Sequence, residues 1–126
     1  MNKILVDTSV WIEYFKGTAR SALLDMLIND NLIVTNALIL SELLPSIQHK
    51  KEYDLLETMR YIEEVELHIN WDEIREYQLK NLKNGINNVG IPDLIIMQNV
   101  ILHQMALLTY DRHFTLMERL FKFELL

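Results

Sequence analysis

The run Ile4-Leu5-Val6 is wholly apolar, too short for a helix, and closed by a carboxylate at Asp7. A short apolar run without polar alternation suits a strand buried on both faces, as in a parallel sheet. Comparable runs recur at Leu32-Ile33-Val34-Thr35 and at Ala106-Leu107-Leu108-Thr109-Tyr110. Weaker ones lie at Val65–Ile69, where Glu66 and His68 alternate with apolar residues, and at 122–125. Helical periodicity fills the intervals. Thr8 and Ser9 offer capping hydroxyls for a short helix over Val10–Phe15 that stops at Lys16-Gly17. A second helix, over 19–30, places Ala22, Leu23, Met26 and Leu27 on one face. A third carries Glu42, with Pro45 expected to kink or end it. Leu55, Leu56, Met59 and Ile62 give one face of a helix over 52–64. Ile74, Tyr77 and Leu82 give the inner face of another over 71–83, which Asn84-Gly85 stops. Helices over 93–105 and 114–120 follow. Strands alternating with helices imply an α/β fold, a parallel sheet covered on both faces. A chain of 126 residues is enough for one such domain, over 1–126, and not for two.

Against this apolar background four acids stand out. Asp7 closes the first strand and Asp111 follows the run 106–110. Glu42 interrupts Ala37-Leu38-Ile39-Leu40-Ser41-Glu42-Leu43-Leu44, and Asp93 opens Asp93-Leu94-Ile95-Ile96-Met97. Each has an ordinary structural alternative. Asp93 and Asp111 could be helix caps, Glu42 an exposed face residue, and Asp7 a cap, although Thr8 and Ser9 make it redundant there. Taken together they repeat one placement, because ligands of open α/β sheets bind at the carboxyl ends of strands. A carboxylate among apolar groups is costly unless paired or metal-bound. No lysine or arginine is spaced to pair with each, so a divalent cation is the natural compensating charge.

Other chemistries find little support. Without cysteine there is neither a disulfide framework nor a thiolate metal site. His49, His68, His103 and His113 have no second histidine at ligand spacing and read as solvated or packed. No nucleophile elbow or glycine-rich phosphate loop is present. The opening Met1-Asn2-Lys3 leads straight into a strand, and no apolar stretch approaches membrane-spanning length. A cytoplasmic protein with no membrane association is the expectation. Trp11, Tyr14 and Phe15 read as core or as surface for a second copy. The net charge of −6 argues against nonspecific nucleic-acid binding. If four carboxylates surround a cation, however, the rest of the chain is only slightly acidic, and a local basic patch remains open.

The residues carry a family resemblance. Val6-Asp7-Thr8-Ser9-Val10-Trp11-Ile12 resembles the opening of PIN-domain nucleases, and Ser41-Glu42-Leu43 their second acidic motif. Gly90-Ile91-Pro92-Asp93-Leu94-Ile95-Ile96 and Leu107-Leu108-Thr109-Tyr110-Asp111-Arg112-His113-Phe114 resemble the third and fourth. The ordered set spans nearly the whole chain, and its compact format looks like the VapC-type toxins of toxin–antitoxin pairs. The resemblance implies a PIN-like α/β/α sandwich whose central parallel sheet has four or five strands. It implies Mg²⁺-dependent endonucleolytic cleavage of RNA, with Mn²⁺ the other candidate ion, a homodimer, and a VapB-type antitoxin that blocks the pocket. Asp7 and Asp93 would be the main metal ligands, Glu42 and Asp111 would complete the catalytic cluster, and Thr8 and Thr109 would supply supporting hydroxyls.

With no side chain placed as nucleophile, a metal-activated water is the simplest attacking group, leaving a 5′-phosphate and a 3′-hydroxyl. Lys16, Arg20, Lys80, Lys83 and Arg112 lie near the acidic motifs in sequence and are the candidate phosphate contacts at the pocket rim. Two other classes stay open: a non-catalytic PIN-like interaction module, and a metal-dependent phosphatase. The latter is expected to pair its nucleophilic aspartate with a second nearby acid, which Val6-Asp7-Thr8-Ser9 lacks.

Overall fold

The computed structural model describes residues 2–17 and 21–126. Five parallel strands form one sheet in the order β3-β2-β1-β4-β5. β1 (Ile4–Val6) is central, pairing Ile4 with Ile33 of β2 (Ile33–Thr35) and with Ala106 of β4 (Ala106–Leu108). All three are buried throughout, as unalternating apolar runs require. β3 (Glu63–Glu64) and β5 (Glu124–Leu125) form the edges, with acidic residues in both. Charged residues on edge strands discourage pairing with other chains.

Among the described residues, seven helices cover the sheet in an α/β/α arrangement: α1 (Thr8–Phe15), α2 (Ser21–Asn29), α3 (Ala37–His49), α4 (Tyr53–Arg60), α5 (Trp71–Lys83), α6 (Ile91–His103) and α7 (Arg112–Glu118). α6 lies deepest, buried without interruption from Leu94 to Val100. Helix ends follow local chemistry. Asn36 and Asn70 cap α3 and α5 by accepting from the Ile39 and Glu73 amides. Pro92 sits in the first turn of α6, where its missing N–H leaves no bond unmade.

Several expectations are corrected. The third strand is not Val65–Ile69 but Glu63–Glu64, taken from the end of the helix expected over 52–64. The Val65 amide still donates to the Thr35 carbonyl, so the alternating segment continues past the ladder as an extended connection. α3 runs unbroken through Pro45. Ile39, Leu43 and Ile47 are buried on both sides of that proline, so packing holds the helix across the missing bond. The start of the helix expected over 19–30 falls outside the described residues at 19 and 20. Its inner face is Leu24 and Leu27, while Leu23 and Met26 are exposed. On α5, Asn81 is buried where Leu82 was expected. Trp11 is fully buried, edge-on to Tyr14 and stacked on Phe15, and so offers no surface to a second copy.

Buried amides tie the layers together. Asn36 donates to the Asn99 side-chain oxygen at 2.9 Å, and Asn99 donates to the Glu66 carbonyl at 3.0 Å. This locks the start of α3 to α6 and to the segment after β3. Replacing Asn99 strands the buried Asn36 donor, while the Glu66 carbonyl keeps its contact with His103 Nε2 at 2.9 Å. Asn99→Leu is therefore expected to lower stability by about 1–3 kcal/mol in urea unfolding; an unchanged midpoint would show that the bridge contributes nothing.

Candidate active site

Successive strands run outward from β1 through β2 to β3, whereas β4 and β5 lie on its other side. The reversal falls at the carboxyl ends of β1 and β4, the usual ligand position in an open α/β sheet. Asp7 and the segment Thr109–Asp111 occupy that edge. The Asp7 amide donates to the Leu108 carbonyl at 2.9 Å, fixing the two strand ends side by side.

Asp7 is only 7% exposed, and its carboxylate accepts three hydrogen bonds. Oδ1 accepts from the Thr8 amide at 2.8 Å, and Oδ2 accepts from Ser9 Oγ at 3.0 Å and Thr109 Oγ1 at 2.8 Å. Asp7 is thus itself the cap of α1; the hydroxyls expected to make it redundant are used elsewhere. Ser9 and Thr109 donate to Asp7, and Thr8 Oγ1 donates to Glu42 Oε1 at 3.1 Å. Thr109 Oγ1 also accepts from the Asp111 amide at 3.0 Å. A continuous hydrogen-bonded path therefore joins Glu42, Thr8, Asp7, Thr109 and Asp111.

Asp111 caps α7, accepting from the His113 amide at 2.9 Å, and Asp93 lies in the first turn of α6. Three of the four acids thus stand at helix N-termini, whose unpaired amides favour negative charge. Glu42 differs: it lies on an exposed face of α3 beside Ser41 and Pro45.

The acids feel one another. Burial, then the charges of Asp111 and Asp7, push the Asp93 carboxyl up to about 6, opposed by His113. Burial also raises Glu42, the hydrogen bond from Thr8 pulls it back, and the Asp7 charge raises it further. Among the described residues no lysine or arginine pairs with any of the four; the nitrogen side chain beside them is a histidine. His113 Nδ1 stands 3.2 Å from Asp111 Oδ1 and 3.5 Å from Asp93 Oδ2. It lies on α7, not in a loop, and within the acidic cluster rather than apart from it.

Oxygens of Asp93 and Asp111 and Nδ1 of His113 all lie within 4.8 Å of one another. Bonds of about 2.1 Å put neighbouring ligands of an octahedral cation roughly 3 Å apart and opposite ones about 4 Å apart. The trio fits a small divalent ion. Asp7 stands beside this trio with its oxygens already engaged.

The basic residues are more scattered. Arg112 is exposed at the start of α7, next to Asp111, and Lys83 is exposed in the last turn of α5. Lys16 pairs with Glu13 at 3.7 Å. Lys80 donates to the Leu120 carbonyl at 3.2 Å and stands 5.1 Å over the Phe121 ring, beyond the end of α7 opposite to the Asp111 cap. Arg20 lies outside the described residues. Besides His113, Ser9 was read from sequence only as a cap; its distinguishing signal is its place two residues after Asp7, as His113 is two after Asp111.

Comparison with known proteins follows the same lines. The family model described as PIN domain matches residues 4–120. No curated protein sequence matches the chain. A chain of the DNA-bound VapBC structure from Salmonella typhimurium is similar with a TM-score of 0.77 at 16% identity, over 100% of this chain and 98% of that one. A chain of VapBC2 from Rickettsia felis, bound to a DNA fragment from the promoter, gives 0.73 at 18% identity, over 98% and 96%.

The raised Asp93 carboxyl has a measurable consequence. Its ordinary value is 3.8, so between there and about 6 the folded chain holds a proton that the unfolded chain releases. This contribution is full below 3.8 and is lost as pH rises through 6. Asp93→Asn should stabilise the metal-free protein at pH 8 by about 1–3 kcal/mol, the gain shrinking towards pH 4, in urea unfolding with EDTA. A gain independent of pH, or a loss at pH 8, would contradict the crowding of Asp93 by its neighbours.

Proposed function

The chain belongs to the PIN-domain family, and on that premise we propose that it is a metal-dependent endoribonuclease, the toxin of a VapBC-type pair. The observation that carries the proposal is the grouping of Asp93, Asp111 and His113 at cation spacing beside Asp7, at the switch point of the sheet. RNA as substrate and a VapB-type antitoxin as partner come from the resemblance to VapC toxins. The likeness in fold to chains of two VapBC assemblies supports them. Pairing with a second copy is carried over in the same way. With Trp11 buried, the exposed Leu79 and Leu82 of α5 are the better surface for it.

In this reading Asp93 and Asp111 hold the ion, Mg²⁺ or Mn²⁺. When bound, such an ion lowers the pKa of a water and offsets charge on a phosphate. Asp7 holds the ends of β1 and β4 together and adds negative potential without giving up its hydrogen bonds. Glu42, steadied by Thr8, faces solvent and is placed to accept a hydrogen bond from a water or a ribose hydroxyl. Arg112 is the basic side chain nearest the acids in sequence, and phosphate contacts there and at Lys83 would position the RNA. Lys80, held against Leu120 and Phe121, is assigned a packing role instead.

RNA incubated with the purified chain and Mg²⁺ should be cut to products bearing a 5′-phosphate and a 3′-hydroxyl, and EDTA should stop the reaction. Asp93→Asn is expected to reduce cleavage to background, and Asp7→Asn to slow it about 10–100-fold, as for a group that supports ligands. Cyclic phosphate ends, or cleavage indifferent to EDTA, would rule out this chemistry. Hydrolysis of small phosphate esters with RNA untouched would point to a phosphatase.

A further inference from the structure

His113 lies within the segment that resembles the fourth acidic motif, and its ring is built into the site. Asp111 caps α7 and accepts from the His113 amide, so the local turn brings the imidazole back over the carboxylates. The ring is 34% exposed, but Nδ1 is shielded from solvent and makes no hydrogen bond of good geometry. A buried ring nitrogen that approaches two carboxylates without a well-formed hydrogen bond is costly unless something is there to meet it. Its distances to Asp111 and Asp93, 3.2 and 3.5 Å, are long for an imidazolium clamped between two carboxylates, which closes to about 2.7–2.9 Å. They match the separation of neighbouring ligands around one ion, roughly 3 Å.

We infer that His113 Nδ1 is a nitrogen ligand to the cation held by Asp93 and Asp111. The inference rests on the cation site proposed above and adds a ligand to it. An all-oxygen site suits Mg²⁺, which is hard and prefers oxygen. An imidazole ligand moves the preference towards a transition ion, so this chain selects Mn²⁺ over Mg²⁺. The neutral ring serves, with the proton on Nε2 and the Nδ1 lone pair on the ion. The aspartate two residues earlier then acts twice, as ligand and as the cap that fixes the backbone carrying the histidine.

Pulsed electron paramagnetic resonance of Mn²⁺ added to the full chain tests this without reference to activity. The expected result is nitrogen-14 modulation from a directly bound imidazole, replaced by the nitrogen-15 pattern when histidine is isotope-labelled. The modulation should vanish in His113→Ala, with Mn²⁺ affinity falling roughly tenfold or more and Mg²⁺ affinity changing much less. Mn²⁺ binding that depends on Asp93 but shows no nitrogen modulation in the unaltered chain overturns the inference and leaves the nuclease proposal standing. Mn²⁺ that fails to bind, or binds equally well to Asp93→Asn, overturns both. Absence of the modulation in the unaltered chain decides against the inference even if His113→Ala does not fold, and its loss in Asp93→Asn ties a modulation that is seen to this site.

Discussion

A carboxylate buried at the end of a central strand persists only if donors replace the water it loses, and Asp7 meets that demand with the Thr8 amide and two hydroxyls. Those donors come from both sides of the switch point: Thr8 and Ser9 from α1, Thr109 from beyond β4. Satisfying this one charge therefore sets the relative position of β1, α1 and β4. Asp111 is placed by the same set, through the hydrogen bond its backbone amide donates to Thr109 Oγ1. Glu42 is steadied by the neighbouring Thr8 hydroxyl. The acidic edge is a consequence of how Asp7 is accommodated, as much as a separate functional addition.

That accommodation has a limit. The helix N-termini of α1, α6 and α7 favour negative charge, but they do not cancel the mutual repulsion, which appears in the raised Asp93 and Glu42 carboxyls. His113 offsets part of it. A fold free to relax would separate these groups; here the short strands and the buried α6 hold them close. Stored repulsion of this kind is what a cation would relieve on binding, so the raised carboxyls and the proposed metal site are two aspects of one arrangement.

Much of this was legible in the order of residues. Unalternating apolar runs gave the three central strands, since strands buried on both faces have no polar positions to spare. Aspartates at strand ends gave the edge where ligands bind. Other features depend on what each segment packs against, which periodicity does not carry. Glu63-Glu64 pairs with β2 although no apolar pattern marks it, because backbone bonds to an existing strand suffice at an edge. Pro45 is tolerated because α3 is anchored on either side of it. Leu23 and Met26 share a helical stripe in sequence, yet it is Leu24 and Leu27 that are buried. Asp7 was judged redundant as a cap because hydroxyls followed it, but those hydroxyls turned out to serve the acids. His113 was set aside for want of a second histidine at ligand spacing. Its partners are a carboxylate two residues before it and another on α6, a combination visible only once the helices meet.

The family assignment covers nearly the whole chain, whereas the structural likenesses at 16% and 18% identity speak to the fold alone. The chemistry therefore rests on the side chains themselves, and above all on whether Asp93 and Asp111 share an ion. Anomalous scattering from crystals grown with Mn²⁺ measures this most directly. The account requires a peak about 2.2 Å from one carboxylate oxygen of each residue. Crystals saturated with Mn²⁺ that show no density between those two carboxylates, or show it only elsewhere on the surface, would contradict it.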